Sequence, residues 1–196
     1  MEKLEIVVSD RIRLCEIELD DAEDIFTTID TQREYLGKWL PFVEMTRSVD
    51  FSRDFIKSVL DAPLESRNFN FTIRYDGCFV GLAGFRDTDY FNRKTEIGYW
   101  LSQPFQKKGI VTKSVLALLS YAFNEMEMNR VTIKCGVGNI PSRNIPVRLN
   151  FTLEGVERAG ELFPDGHFLD LEVYSMLKSE WDFRGRAEVL SGKGLK

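Results

Sequence analysis

The sequence predicts an α+β fold on one mixed sheet, and two observations carry the prediction. Between Phe69 and Ser102, three runs of period-two alternation follow one another, the pattern of neighbouring antiparallel strands. Apolar stripes at helical spacing lie before and after them, without the regular strand–helix alternation of a doubly wound sheet.

The elements follow in order. "LEIVV" and "IRLCEIE" flank "SDR" and predict an opening β-hairpin. In "LDDAEDIFTTID", Ala22, Ile25, Phe26 and Ile29 form one helical face, with Asp20 placed to cap it. "YLGKWLPF" interrupts through Gly37 and Pro41. Phe55, Ile56, Val59 and Leu60 mark a second amphipathic helix, finished by Pro63. Phe69, Phe71, Ile73 and Tyr75 alternate along "FNFTIRY", and Asp76-Gly77 is a hairpin turn into "CFVGLAGF". "KTEIGYWLS" is the third strand of this meander. Val111, Val115, Leu118, Leu119, Ala122, Phe123 and Met126 predict a long helix. Val131, Ile133, Cys135 and Val137 alternate in "RVTIKCGV", a strand, and "SRNIPVRLN" reads as a shorter helix in spite of Pro146. "GVERAGELF" and "HFLDLEVYSML" predict a closing hairpin across "PDG". With no repeat and no internal linker, residues 1–183 read as one domain, followed by a loose tail at 184–196.

Composition bounds the function. Hydrophobic residues make up 43% and aromatic residues 12% of the 196, enough for a sizeable core. The net charge is −5 with both signs interspersed, which argues against a direct nucleic-acid partner but allows a local anion site. No run approaches the ~20 apolar residues of a membrane helix. The acidic opening "MEKLEIVVSD" lacks the basic and apolar regions of a signal peptide, so a cytoplasmic protein with no membrane partner is expected. Cys15, Cys78 and Cys135 are odd in number and far apart, and His167 is the single histidine. Neither a disulfide framework nor a metal centre is expected.

The stretch that suggests chemistry is "QPFQKKGIVTKS", residues 103–114. A strand gives way to a helix there through Gly109, preceded by Lys107 and Lys108. A helix N-terminus presents unpaired N–H groups and partial positive charge. Glycine lets the backbone curl around an anion with no side chain in its path. Two lysines add charge and Thr112 adds a hydroxyl. The junction reads as a pyrophosphate cradle. A glycine that merely starts a helix is the structural alternative, and no Walker motif is present.

Gln106-Lys107-Lys108-Gly109-Ile110-Val111 resembles the [QR]xxGx[GA] acetyl-CoA loop of the GNAT superfamily of N-acetyltransferases. "EIGYWLSQPFQKKGIVTKSV", "WLPF" at Trp39 to Phe42, and the run from "IKCGVGNIPS" to "LDLEVYSML" are similar to its RimJ/RimL branch, which acetylates N-termini of ribosomal proteins. Two positions depart from the pattern. Val111 stands where the superfamily has Gly or Ala, and Asn150 stands where the branch usually has Gly. Asn accepts left-handed backbone, so the turn at Asn150 is expected to survive.

The resemblance implies a GNAT-like fold, a single mixed, mostly antiparallel twisted sheet flanked by about four helices. It implies acetyl-CoA as co-substrate, with backbone N–H groups of Gln106, Lys107, Lys108, Gly109, Ile110, Val111 and Thr112 around the pyrophosphate. The pantetheine arm would lie between "EIGYWL" (Tyr99, Trp100 and Leu101) and "VTIKCGV", meeting Asn139. Tyr99 and Trp100 are also ordinary sheet residues. Ser142 matches a serine that protonates the leaving thiolate, and it is equally placed to cap the following helix. Glu161 matches the general base, with Glu154 and Glu157 competing on the same run. Cys135 matches a cysteine near the thioester, although it shares phase with Val131 and Ile133 and so reads as core. Trp39, Leu40 and Phe163 belong to the segments that flank the acceptor cleft, and His167, after the Pro-Asp-Gly turn, decorates the final strand or the acceptor rim.

The activity so implied is direct attack of a primary amine on the thioester, the acceptor being the N-terminal α-amine of a protein such as a ribosomal protein. One alternative acceptor is a small-molecule amine: an antibiotic, a polyamine or an amino-acid-like compound. A non-catalytic acyl-CoA-binding module is the other alternative, and it would dispense with Glu161 and Ser142. A homodimer is compatible with the sequence.

Overall fold

The computed structural model describes residues 3–63 and 68–182. Its strands are β1 (Glu5–Val7), β2 (Ile12–Glu16), β3 (Asn70–Tyr75), β4 (Cys78–Asp89), β5 (Lys94–Leu101), β6 (Arg130–Gly136), β7 (Thr152–Leu162) and β8 (Phe168–Leu177). The α-helices among the described residues are α1 (Ala22–Thr31), α2 (Arg33–Gly37), α3 (Phe42–Met45), α4 (Val49–Leu60), α5 (Ile110–Asn124) and α6 (Ile140–Arg148). The strands form one sheet in the order β1-β2-β3-β4-β5-β6-β8-β7. Every neighbouring pair is antiparallel except β5–β6, which is parallel. This is the expected α+β class with a mixed, mostly antiparallel sheet.

Helices α1, α4, α5 and α6 are the four that the sequence predicts. Helices α2 and α3 occupy the stretch that reads only as an interruption. At five and four residues they are too short for an apolar period to register.

The sheet is covered on both faces. Val115, Leu118, Leu119, Ala122 and Phe123 of α5 pack with Leu14, Phe71, Ile73, Ile97, Val131 and Ile133. On the other face Ile25 and Ile29 of α1, Leu36 of α2 and Ile56 of α4 pack with Leu82 and Trp100. Each fully buried side chain of this size stabilises the fold by roughly 1.5–3 kcal/mol. The β3–β4 turn is the expected one, with Asp76 and Gly77 both left-handed (φ 50 and 81). Asn150 is left-handed as well (φ 52), so the turn after α6 survives without glycine.

Some boundaries differ from the sequence reading. A 3-10 turn, Leu19–Asp21, precedes α1, and the Asp21 carboxylate rather than that of Asp20 accepts the Glu18 N–H, at 2.8 Å. Helix α6 starts before Ser142, because Pro141 fits its first turn and Asn139 caps it. Strand β7 starts at Thr152 rather than Gly155. The tail expected at 184–196 lies outside the described residues. No helix among the described residues is long and apolar enough to cross a membrane.

One feature of the sheet positions the site. Strands β5 and β6 pair only at Lys94–Arg130, Thr95–Val131 and Glu96–Thr132. Beyond Glu96 the two strands part, β5 staying on β4 and β6 staying on β8.

Candidate active site

The parted ends of β5 and β6 open into a cavity of about 1020 Å³. Tyr99, Trp100 and Leu101 line it from β5, and Cys135 and Gly136 from β6. Gln106, Lys107, Gly109, Ile110, Val111 and Thr112 line it from the start of α5, and Asn139 and Ser142 from the start of α6. Trp39, Leu40 and Glu161 complete the wall. Residues far apart in the chain therefore share one chamber.

The entrance to α5 has the geometry of an anion cradle. Lys107 and Gly109 are both left-handed, with φ 62 and 73. They swing the chain from a 3-10 turn, Gln103–Phe105, into the helix. The first helical bond runs from the Lys113 N–H to the Gly109 carbonyl (3.1 Å), leaving the N–H groups of Ile110 to Thr112 ahead of it. A Cβ built on Gly109 meets nothing within 4 Å, so open space lies before these donors. No acidic residue occupies the first turn of α5. Lys107 lines the cavity, whereas the Lys108 ammonium sits outside its lining, 4.8 Å from the Phe105 ring centre and 5.6 Å from that of Tyr75. Val111 packs against the core while lining the cavity, so its bulk is accommodated.

At the start of α6, a proline organises the site. Pro146 has no N–H to give the carbonyl four residues back, that of Ser142. The Tyr99 hydroxyl donates to that carbonyl at 3.1 Å, and Ser142 Oγ lies 3.4 Å from the same hydroxyl. Burial pushes the nearby Cys135 thiol up to about 11, with Ser142 pulling it back, so the thiol is protonated near neutral pH. Cys135 belongs to the core at 4% exposure. The helix cap is Asn139, whose side chain accepts the Ser142 N–H at 3.3 Å. The Ser142 hydroxyl is thus not the cap that the sequence allows it to be.

The competing carboxylates separate by their partners. Glu154 pairs with Arg130 through both oxygens and accepts from Ser175 Oγ at 2.9 Å. Arg130 holds its carboxyl at about 2, far too weak a base to take a proton from an amine. Glu157 pairs with Lys134 at 2.9 Å. Neither lines the cavity. Glu161 lines it, beyond a bulge in which Ala159 is left-handed (φ 53) and its N–H donates to Asp170 at 2.7 Å. No hydrogen bond or ion pair ties up the Glu161 carboxylate among the described residues.

The sequence reading missed Glu96. It is 7% exposed at the point where β5 and β6 part, and it lines the same cavity. Burial pushes its carboxyl above the ordinary value, while Arg86 (3.3 Å) and Lys134 (3.8 Å) pull it back. The available signal was a lone charge in the apolar run "TEIGYWL". Glu96 and Glu161 are the acidic side chains of the lining among the described residues. Among those residues no group of three or more His, Cys, Asp or Glu is placed to hold a metal ion.

Residues 11–152 match the profile of the acetyltransferase (GNAT) domain family. The chain belongs to the GNAT acetyltransferase family. This acetyltransferase is 39% identical over 178 residues to YdaF of Bacillus subtilis (strain 168), a protein provisionally named a ribosomal N-acetyltransferase. That match covers 89% of this chain and 96% of YdaF. It is 25% identical over 174 residues to the ribosomal-protein-serine acetyltransferase of Escherichia coli (strain K12), covering 88% and 96% of the two chains. Among solved structures, the microcin C7 self immunity acetyltransferase MccE, in complex with acetyl-CoA and AMP, superposes with a TM-score of 0.82 at 29% identity. That superposition covers 88% of this chain and 95% of MccE. The family and its relatives make the protein an N-acetyltransferase, as the resemblance read from "QKKGIV" implies.

The fold of this acetyltransferase does not bring Phe163 into the main cavity. Phe163 stacks on His167 (ring centres 4.4 Å apart) and lines a neighbouring cavity of about 520 Å³, which shares Leu40 and Pro41 with the main one. The capping geometry yields a prediction. Asn139→Ala should cost about 1 kcal/mol of stability through loss of the cap. Ser142→Ala should leave the melting temperature nearly unchanged and lower kcat. Melting curves and steady-state rates of the two variants check this, and a lowered melting temperature with normal kcat in Ser142→Ala would return Ser142 to a structural role.

Proposed function

We propose that this acetyltransferase moves the acetyl group of acetyl-CoA to the N-terminal α-amine of a protein such as a ribosomal protein, in the cytoplasm. The observation that carries the reading is the single cavity shared by the cradle at Gly109 and by Glu161, which has no partner among the described residues, with Trp39 and Leu40. Backbone N–H groups from Lys107 to Thr112 would hold the pyrophosphate, the Gln106 N–H being already given to the Gln103 carbonyl at 3.1 Å, and the gap between β5 and β6 would take the pantetheine arm. Glu161 accepts a proton from the incoming amine as nitrogen bonds to the acetyl carbon, directly or through one water. The carbon–sulfur bond then breaks, and Ser142, held beside Tyr99 and Cys135, gives a proton to the departing thiolate.

The α-amine suits so modest a base. With a pKa of ~7.8 against ~10.4 for lysine, its neutral form costs ~3.5 kcal/mol less to generate. The relative named ribosomal-protein-serine acetyltransferase supports this acceptor. A small-molecule amine is the second reading, favoured by the likeness to the microcin self immunity enzyme.

The test is release of CoA with three acceptor sets: peptides with a free N-terminal Ser or Ala, the same peptides blocked at the N-terminus but carrying a free lysine, and small amines. Free N-termini should be acetylated at least about tenfold faster than the blocked peptides, the ratio of neutral amine near neutral pH favouring them. Equal rates on blocked and free peptides, or activity confined to small amines, would remove the N-terminal reading.

A further inference from the structure

A short bridge crosses the chamber from one parted strand to the other, and its anchors are specific. Gln32, between α1 and α2, uses both ends of its amide. Its Nε2 donates to Ser102 Oγ and its Oε1 accepts from the Gln103 N–H, each at 2.8 Å. One turn later, Tyr35 Oη accepts from Gln106 Nε2 at 2.5 Å. Ser102, Gln103 and Gln106 form the segment that leads from β5 into the cradle. At the far end of α2, Trp39 lies against the end of β6: a Cβ built on Gly136 would fall 3.2 Å from its ring. Tyr35, Trp39 and Gln106 all line the cavity.

Apolar packing alone would let this bridge slide, whereas directional amide bonds fix its position. Burial also raises the Tyr35 phenol above its ordinary value, so it remains a neutral hydrogen-bonding partner.

We propose that Tyr35 is a positioning residue that couples the cofactor cradle to the acceptor wall through Gln106. The inference rests on the acetyl-CoA site proposed above. A ligand bound to the N–H groups of Ile110 to Thr112 fixes the short segment that joins them to Gln106, whose own N–H is held by the Gln103 carbonyl (3.1 Å), and the Gln106 side-chain amide then fixes Tyr35. Helix α2 carries the constraint to Trp39 and Leu40, so the path is contiguous. Coupling of this kind is reciprocal: acetyl-CoA and the acceptor each tighten the binding of the other.

Hydrogen exchange on the full chain, with CoA as the probe, tests the coupling in wild type and in Tyr35→Phe, which removes only the hydroxyl. In wild type, CoA should slow exchange at 109–113 and also at 36–40. In Tyr35→Phe the first protection should remain and the second should drop about fivefold or more, the low end of ordinary coupling between sites. Acceptor KM at saturating acetyl-CoA should rise by a similar factor, with a smaller change in kcat. Gln106→Leu should show the same loss at 36–40, and the double variant should lose no more than either single one. Wild-type protection confined to 109–113, undiminished protection at 36–40 in Tyr35→Phe, or additive losses in the double variant would overturn the coupling and leave the acetyl-CoA reading standing. Absence of protection at 109–113 in wild type would overturn both.

Discussion

Gly109→Glu is expected to weaken CoA binding at least about 100-fold in a protein that still folds. Two effects combine at this position. Gly109 sits at φ 73, where any side chain strains the backbone by roughly 1–2 kcal/mol. The new Cβ itself meets no atom, so the fold should absorb that cost as a lowered melting temperature. The larger effect is charge, since the carboxylate would project into the space that the N–H groups of Ile110 to Thr112 face. A unit charge about 5 Å from a phosphate charge repels it by roughly 3 kcal/mol at an effective dielectric constant near 20, which is about two orders of magnitude in affinity. Gly109→Ala separates the effects, because it carries the strain without the charge and should bind CoA within about tenfold of wild type. Calorimetry on both variants decides. Wild-type affinity in folded Gly109→Glu would place the cofactor elsewhere.

Glu161→Gln is expected to lower kcat about 100-fold or more near neutral pH, within the usual range for loss of a general base. Glutamine keeps the size and hydrogen bonding of the side chain but cannot take the proton. The loss should shrink as pH rises through the pKa of the α-amine, near ~7.8, because the acceptor then deprotonates unaided. CoA affinity should not change, since Glu161 belongs to β7 and not to the cradle at the start of α5. An unchanged pH–rate profile would move the role to Glu96, the other acidic side chain of the lining among the described residues, rather than to Glu154 or Glu157. Arg130 and Lys134 already hold those two outside the cavity.

Much of the fold was legible in local pattern. The alternation of Phe71 and Ile73 and the stripe through Val115, Leu118 and Leu119 are periodic signals long enough to stand above noise. The Asp76-Gly77 turn was legible because few dipeptides accept two left-handed residues. Helices α2 and α3 were not legible, because Leu36 and Val43 are held by packing on Trp100 and Leu82 rather than by any period of their own. Ser142 shows the same limit at a single residue. Its candidacy as a cap came from its position in the sequence, but Asn139 takes that place once Pro141 lets the helix begin earlier.

By itself the sequence determined the order and kind of the main elements and the glycine that opens α5. Each is encoded by neighbours within a few residues, and a left-handed glycine before a helix needs nothing distant to form. Only the tertiary structure decided which carboxylate faces the chamber. Glu154, Glu157 and Glu161 share one strand, but Arg130, Ser175 and Lys134, which engage the first two, come from β6 and β8. The parting of β5 from β6 beyond Glu96 was decided there too, because the position of a strand end depends on the partner across its other edge. A charge or a gap of this kind is set by what surrounds it, and that becomes known only when the chain has closed on itself.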